Sequence, residues 1–443
     1  MNLNLATLIR NFNFLRYSVG IAMMFNGFPL IFFFRDTLGI GPSSSTFTAI
    51  FFLLALLLMT PTNFLLRFYK PNAILLNLGV GFLAISMYYF AFFNPVGTGV
   101  TDIGNYVFIF AFIILLLSIP SDVQETVVPV LFIFSLFSNI TLVYSLLTDP
   151  NWTVGMRAAV SFANESAQPG GNPHITARNG IICLVSAFVL LPRYKGIFAR
   201  IFLYFSVMFS LGVIVISLAK SSYLGVGIML AAYFFYNFKI ANVFSSIGSL
   251  FTFKNFLIFV LVLIGINYFL SLYSGVYYNL LNYWSVFEDR IMDVIYTSFG
   301  VKLTETADTD ASAMGRVNGF SDFLDTLYSR DAFLGRGYKS GFLDIPILEA
   351  WVNHGVMGFL FFNGFNFFLF FYSIQEIKRN TSPLSTFLAY FFLSMIVLLI
   401  SGGRPYDIAY WFPYAVMIRF LGIKYFDKFH VKKPGKQLVA TTS

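Results

Sequence analysis

The sequence predicts an all-α, polytopic integral membrane bundle of about twelve transmembrane helices with a helical extracytoplasmic loop. Three observations carry that prediction. Hydrophobic residues fill 58% of the 443 positions and charged residues only 11%, about half the charged share of a soluble domain. Stretches such as Phe47–Leu66, Asn255–Gly275 and Trp351–Ser373 contain no acidic or basic side chain. Each is roughly 20 residues, enough to cross about 30 Å of hydrocarbon at 1.5 Å per residue. Finally, basic residues collect in alternate connections between such runs, the pattern that orients membrane helices.

In chain order the apolar runs are 17–34, 46–66, 73–93, 104–119, 127–147, 179–191, 201–219, 222–238, 255–275, 346–373, 384–401 and 408–423. The shorter ones reach the bilayer thickness by tilting or by recruiting flanking residues. The first run is expected to remain as a helix, since no small-residue cleavage site follows Phe34 and further spans follow at once. Arg10 and Arg16 before it place the N-terminus inside. Even-numbered connections then hold Arg67 and Lys70; Arg193, Lys195 and Arg200; Lys239 and Lys254; and Lys378 and Arg379. The tail adds Lys424, Lys428, Lys432, Lys433 and Lys436. Only the connection 120–126, with Asp122 and Glu125, departs from the pattern. Residues 1–443 thus read as a single multi-pass domain with both termini cytoplasmic.

The net charge of +8 is then a signature of contact with lipid headgroups, and no nucleic-acid partner is expected. The lone Cys183 excludes an internal disulfide framework. No fixed-period repeat is visible.

Two outward connections are long. The first, 148–178, is rich in Gly, Pro, Asn and Ser. The second, 276–345 between spans nine and ten, holds ten Asp/Glu against six Lys/Arg. Within it, Leu281–Phe299 and Ala313–Tyr328 place apolar residues at helical spacing, the latter through Val317, Phe320, Phe323, Leu324 and Leu327. Both predict amphipathic helices on the outer face. Loops of this size in a compact protein usually carry function.

The outward cations are few. Lys220 sits in the tight turn "SLAKSSYLG", either snorkelling at a helix end or meeting an anionic headgroup. Arg316, in "AMGRVNGF", opens an amphipathic helix, where a cation is mildly unfavourable. Arg178 ("TARNG") and Arg404 ("SGGRPYD") sit where loops meet spans, as interfacial anchors or ligand contacts. Gathered at one face, these four cations would suit a diphosphate, since guanidinium forks match phosphate oxygens and Lys offers a point charge.

Among candidate bases, Asp344 precedes Pro346 at or near a helix N-cap. Glu349 lies where the apolar span begins, a depth at which an acid must be paired or used. His354 is deeper still, either a packed core histidine or a base. His174 is loop-borne and His430 cytoplasmic. There is no His/Cys cluster at metal spacing, no phosphate-cradling glycine loop and no serine nucleophile elbow. No metal site and no cofactor are expected.

Across about 200–360 the chain resembles the O-antigen polymerase/O-antigen ligase superfamily of bacterial polysaccharide assembly. The resemblance rests on "AKSS" at Lys220, Gly315-Arg316, "LGRGY" with Gly335, Arg336 and Gly337, and "NHGVMG" with Gly355 and Gly358, in the family's order. Lys220 stands where the family often has Arg. Asp344 stands where the ligase branch keeps a histidine, which turns the reading towards polymerase.

The resemblance implies a glycosyltransferase of the bacterial cytoplasmic membrane, acting in O-antigen, lipopolysaccharide or exopolysaccharide biosynthesis. An undecaprenyl-diphosphate-linked oligosaccharide would donate its reducing-end sugar to an acceptor glycan by a single inverting displacement without metal. Arg178, Lys220, Arg316, Arg336 and Arg404 would contact the diphosphate or glycan, and Asp344, Glu349 or His354 would serve as base, in that order of preference. Membrane lipids and a chain-length regulator protein complete the expected partners. The alternatives are a ligase transferring the glycan to lipid A core and, in a different class, a lipid-linked oligosaccharide flippase or transporter.

Overall fold

The computed structural model describes residues 5–42, 45–62, 64–97, 99–149, 173–237 and 311–423, with isolated positions between 152 and 288. Every regular element among them is helical. In order these are α1 (Leu5–Asn26), α2 (Phe28–Phe32) running into a π-turn (Phe33–Thr37), α3 (Ser45–Met59), α4 (Ala73–Phe92), α5 (Val100–Ser118), α6 (Gln124–Thr148) and α7 (Pro173–Leu190). There follow α8 (Ile197–Ser217), α9 (Lys220–Asn237), α10 (Ala311–Leu327), α11 (Pro346–Arg379), α12 (Pro383–Met395), α13 (Leu398–Ser401) and α14 (Ile408–Phe420).

By length and composition, 7 of the described helices can cross a membrane: α4, α5, α6 with its 3-10 lead-in, α7, α8, α11 and the α12–α13 pair. The predicted apolar runs fall largely on helix, 46–66 only as far as Met59, apart from 255–275, which, isolated positions aside, falls outside the described residues, as do the predicted helix 281–299 and most of 148–178.

The first run is not one rod. It breaks at Gly27 into two pieces bent by 77°, because Pro29 supplies no N–H to the carbonyl of Phe25. Several helices also start earlier than their apolar runs. Polar residues extend α5 back to Val100 and α7 back to Pro173 because their side chains find partners at the bundle end. Asp102 of α5, for instance, takes both carboxylate oxygens to Lys339 at 2.8 Å.

The core is dense in aromatic rings: Phe82 and Trp411 stack at 5.9 Å, and Phe365 stacks on Trp411 at 5.8 Å. Within it runs a chain of buried amides. Asn26 of α1 donates to Asn179 of α7, which donates to Asn139 Oδ1 of α6 at 2.6 Å and to the Ser135 carbonyl at 3.1 Å. Asn139 donates on to Ser210 of α8 at 3.4 Å. In an apolar medium such bonds hold helices together where the hydrophobic effect cannot.

The side-chain contacts sort the connections into two ends. One end gathers Phe93–Gly97, Ser329–Ile345 and Gly402–Asp407, with the starts of α5, α7, α9, α11 and α14. The other gathers Thr60–Asn72, Ile119–Val123, Asn380–Ser382 and the close of α14. Arg419 is buried at that second end, where it donates to the carbonyls of Leu116 and Ile119 and to Ser121. A cation at the C-terminal end of α5 is where the helix dipole favours one.

Candidate active site at the loop end of the bundle

The α11 helix opens with Pro346, whose missing N–H is harmless in a first turn. The cap residue is Ile345, which offers no side-chain bond, and Asp344 precedes it with φ +56. Asp344 therefore is not the N-cap. It is half-buried on a left-handed turn, one residue before the cap.

Glu349, in the first turn of α11, is wholly buried. Its Oε2 accepts from the Leu343 N–H at 3.2 Å, and its Oε1 accepts from the Tyr406 hydroxyl and the Asn353 amide, each at 3.2 Å. Arg404 forms an ion pair with the same oxygen at 3.5 Å and donates to the Tyr406 oxygen at 2.8 Å. Burial, with Glu349 alongside, holds the Tyr406 hydroxyl well above the ordinary phenol value, so it stays a donor. The guanidinium of Arg404 lies over the ring of Phe342 at 4.9 Å and keeps about a quarter of its side chain exposed, 26%. A buried carboxylate thus aims a partly open guanidinium at the bundle surface.

The loop 329–343 is locked into α11 through its backbone. At Gly355 the helix has φ 65 and ψ −164, so the Val352 carbonyl and the Val356 N–H do not pair with each other. The loop supplies both substitutes: Arg336 N–H donates to Val352 O at 2.7 Å, and Val356 N–H donates to Phe333 O at 3.1 Å. Gly337 N–H adds a bond to Asn353 O at 3.1 Å. A Cβ on Gly335 would stand 2.5 Å from Gly355 N, and one on Gly355 would stand 2.1 Å from Phe333 O. The "LGRGY" and "NHGVMG" glycines, 20 residues apart in sequence at Gly335 and Gly355, are therefore two halves of one contact. The Asn353 side chain continues it, accepting from Ser340 Oγ at 2.9 Å and Gly341 N–H at 3.2 Å.

His354 is fully buried, and neither ring nitrogen has a partner among the described residues. Phe82, Tyr89, Tyr406 and Tyr338 surround it with centroids at 5.6, 5.3, 5.7 and 6.4 Å. Enclosed in this way, the imidazole packs as one more flat ring.

The remaining predicted residues share this end. Arg178 donates to Ala409 O at 2.6 Å and to Phe25 O at 2.9 Å. The residue four beyond Ala409 is Pro413, and four beyond Phe25 is Pro29, so each carbonyl faces a proline where its helical N–H belongs. Arg178 fills both gaps and staples α1, α7 and α14 together. The sequence offers Arg178 as an interfacial anchor or a ligand contact; the structure adds these two bonds to backbone carbonyls. Lys220 is the first residue of α9, beside Ser221, whose hydroxyl meets His174 Nδ1 at 3.3 Å. Arg316 lies inside α10, which begins at Ala311, so it does not open the helix. The side chains of Lys220 and Arg316 lie outside the described residues. Arg336 is exposed. On α10, Phe320 is 51% exposed, against the predicted apolar face, while Gly319 and Thr326 are buried. The contact is set by Gly319 closing on the Leu343 backbone and Phe323 meeting Trp351 at 5.9 Å.

Sequence reasoning missed Tyr406, Asn353 and Asp407. Asp407 caps α14 by accepting from Ala409 N–H at 3.4 Å. Burial pushes its carboxyl up, against the pull of that N–H and of the positive charges of Arg178, Arg404 and Lys339. Its position between "GGRPY" and an apolar run was a legible cap signal. No protein-family model matches the chain, and neither a curated protein nor a solved structure does.

Proposed function

We propose that this protein polymerises undecaprenyl-diphosphate-linked oligosaccharide repeat units, of O-antigen or exopolysaccharide type, on the outer face of the bacterial cytoplasmic membrane. The observation that carries the reading is Arg404, aimed by the buried Glu349 and Tyr406 and partly open, at the end that also holds Lys220, Arg316, Arg336 and Asp344. The acceptor hydroxyl gives its proton to Asp344, the half-buried acid outside the helix. Its oxygen bonds the donor's anomeric carbon from the face opposite the leaving group. The bond from that carbon to the diphosphate oxygen breaks, and undecaprenyl diphosphate departs with the electron pair and its charge on the cations. Glu349 acts by holding Arg404, and the role of base falls to Asp344. Arg178, with two of its nitrogens on carbonyls, supports the frame rather than the diphosphate.

The test is a polymer-length assay on purified protein given undecaprenyl-diphosphate-linked repeat units. Asp344→Asn should slow polymer formation by about 10²-fold or more, the scale of lost general-base catalysis, whereas His354→Gln should retain it. The reverse pattern would make His354 the functional residue. Full-length polymer from the Arg316→Ala/Lys220→Ala double variant would remove that pair from the diphosphate site.

Orientation has its own test. Reporter fusions at 70, 195, 380 and 440 should read cytoplasmic and those at 160 and 310 periplasmic. A cytoplasmic reading at 310 ends the proposal, because substrates presented outside would not reach the loop. The break between α1 and α2, beside the buried amide chain, favours a second reading, transport of the lipid-linked glycan, since broken helices line transporter sites. Proteoliposomes that move the lipid across without lengthening the glycan would select it.

A further inference from the structure

At the end of the bundle opposite the candidate site, α1, the segment 61–69 and the turn 118–120 line an open pocket of about 290 Å³. Its polar lining includes Arg10, Asn13, Thr62, Arg67, Tyr69 and Ser118, and no acidic residue lines it. Its walls are tied down. Arg16 donates to Thr60 O at 3.0 Å with its guanidinium over the Tyr17 ring at 4.9 Å, and Tyr69 N–H donates to Leu117 O at 2.7 Å. The two lining arginines are different. Both are exposed, and among the described residues neither makes a hydrogen bond or an ion pair; Arg10 lies over the Phe14 ring at 5.5 Å. Of the acids at this end, Glu125 pairs with Arg193 at 3.3 Å and Glu376 accepts from Thr381, while Asp122, two residues beyond the lining Pro120, is exposed.

We infer that this pocket is a binding site for the phosphate of an anionic phospholipid headgroup. Guanidinium forks on a preformed polar pocket recognise phosphate oxygens, and basic pockets between membrane helices hold such headgroups. A free phosphate ion offers the same charge, but the surroundings select a lipid. Beside the pocket stand Ile9, Phe12, Leu65, Leu66 and Phe68, exposed by 53%, 64%, 55%, 79% and 57%. Ile9 lines the pocket and the others lie within two residues of its lining in the chain, so acyl chains would meet apolar side chains there, which a soluble anion does not need. The inference does not depend on what the opposite end catalyses.

The experiment is native mass spectrometry of the full chain, delipidated in detergent and then given dioleoylphosphatidylglycerol, dioleoylphosphatidylcholine or sodium phosphate. One phosphatidylglycerol should be retained about tenfold better than phosphatidylcholine, the scale of one or two charge-assisted contacts. Arg10→Gln/Arg67→Gln should bring it down to the phosphatidylcholine level. Lys378→Gln, an exposed cation outside the pocket, should not change retention. Both arginines are exposed, so the thermal midpoint of the double variant should stay at the parent value. If it falls, Arg10→Lys/Arg67→Lys, which keeps the point charges, should still prefer phosphatidylglycerol. Equal retention of the two lipids, or undiminished phosphatidylglycerol binding by the Gln variant, overturns the site. Complete displacement of the lipid by millimolar sodium phosphate would assign the pocket to the free ion and overturn the lipid reading.

Discussion

Gly355→Val should lower the stability of the purified protein by about 3–7 kcal/mol and open the 329–343 loop to trypsin at Arg330 and Arg336. A β-branched residue at φ 65 is itself strained by about 1–3 kcal/mol. Its Cβ would also stand 2.1 Å from Phe333 O and 2.6 Å from Leu334 C, both backbone atoms that no rotamer change can move. The loop must therefore lift away, and the substitute bonds from Arg336, Gly337 and Val356 go with it, each contributing about 0.5–1.5 kcal/mol. Gly227→Ala is the control. A Cβ there meets nothing within 4 Å inside α9, so a gain of about 0.5–1 kcal/mol is expected. Thermal unfolding in detergent with timed proteolysis checks both, and an unchanged midpoint with a protected loop in Gly355→Val would remove the docking role assigned to this kink.

Arg178→Met should destabilise the bundle by about 2–5 kcal/mol, because it leaves the carbonyls of Phe25 and Ala409 without the donors that replace proline's missing N–H. The distinguishing result is rescue. Pro413→Ala restores an N–H four residues beyond Ala409. In the Arg178→Met background it should therefore recover about 1–3 kcal/mol, with less benefit in the parent protein. Additive effects in that double-mutant cycle would show that Arg178 acts through its charge and not through these carbonyls.

The apolar runs and their punctuation carried most of the helix positions. What they could not carry were partnerships between distant residues. Arg178 and its two carbonyl partners are 153 and 231 residues apart, and no local pattern joins Pro29, Arg178 and Pro413. The bend at Gly27 was present as a Gly-x-Pro signal inside an apolar run, but hydropathy alone ran through it. At the site, Glu349 was legible because an acid at the head of an apolar helix needs a partner. That partner, Arg404, is itself legible as a cation where a loop meets a span, yet only the fold pairs them. Tyr406 and Asn353 went unseen because each is an ordinary residue type until it is buried beside a carboxylate. Asp344 was expected near the cap and lies one residue outside it, because the chain needs the left-handed turn to bring Leu343 N–H onto Glu349.

The stapling by Arg178 also sets a schedule for synthesis. Of the seven long apolar helices, α7 is among the least apolar, carrying Arg178 and Asn179 near its start. The first carbonyl that Arg178 needs, on Phe25, is already in place when α7 enters the membrane. The second, on Ala409, lies 231 residues downstream. At about 5–20 residues per second, translation takes roughly 10–50 s to reach it. During that interval one fork of a guanidinium waits in or near the bilayer without its final acceptor. The newborn chain must shelter α7 against α1 and α6, through the Asn26–Asn179–Asn139 contacts, until α14 arrives to close the bundle.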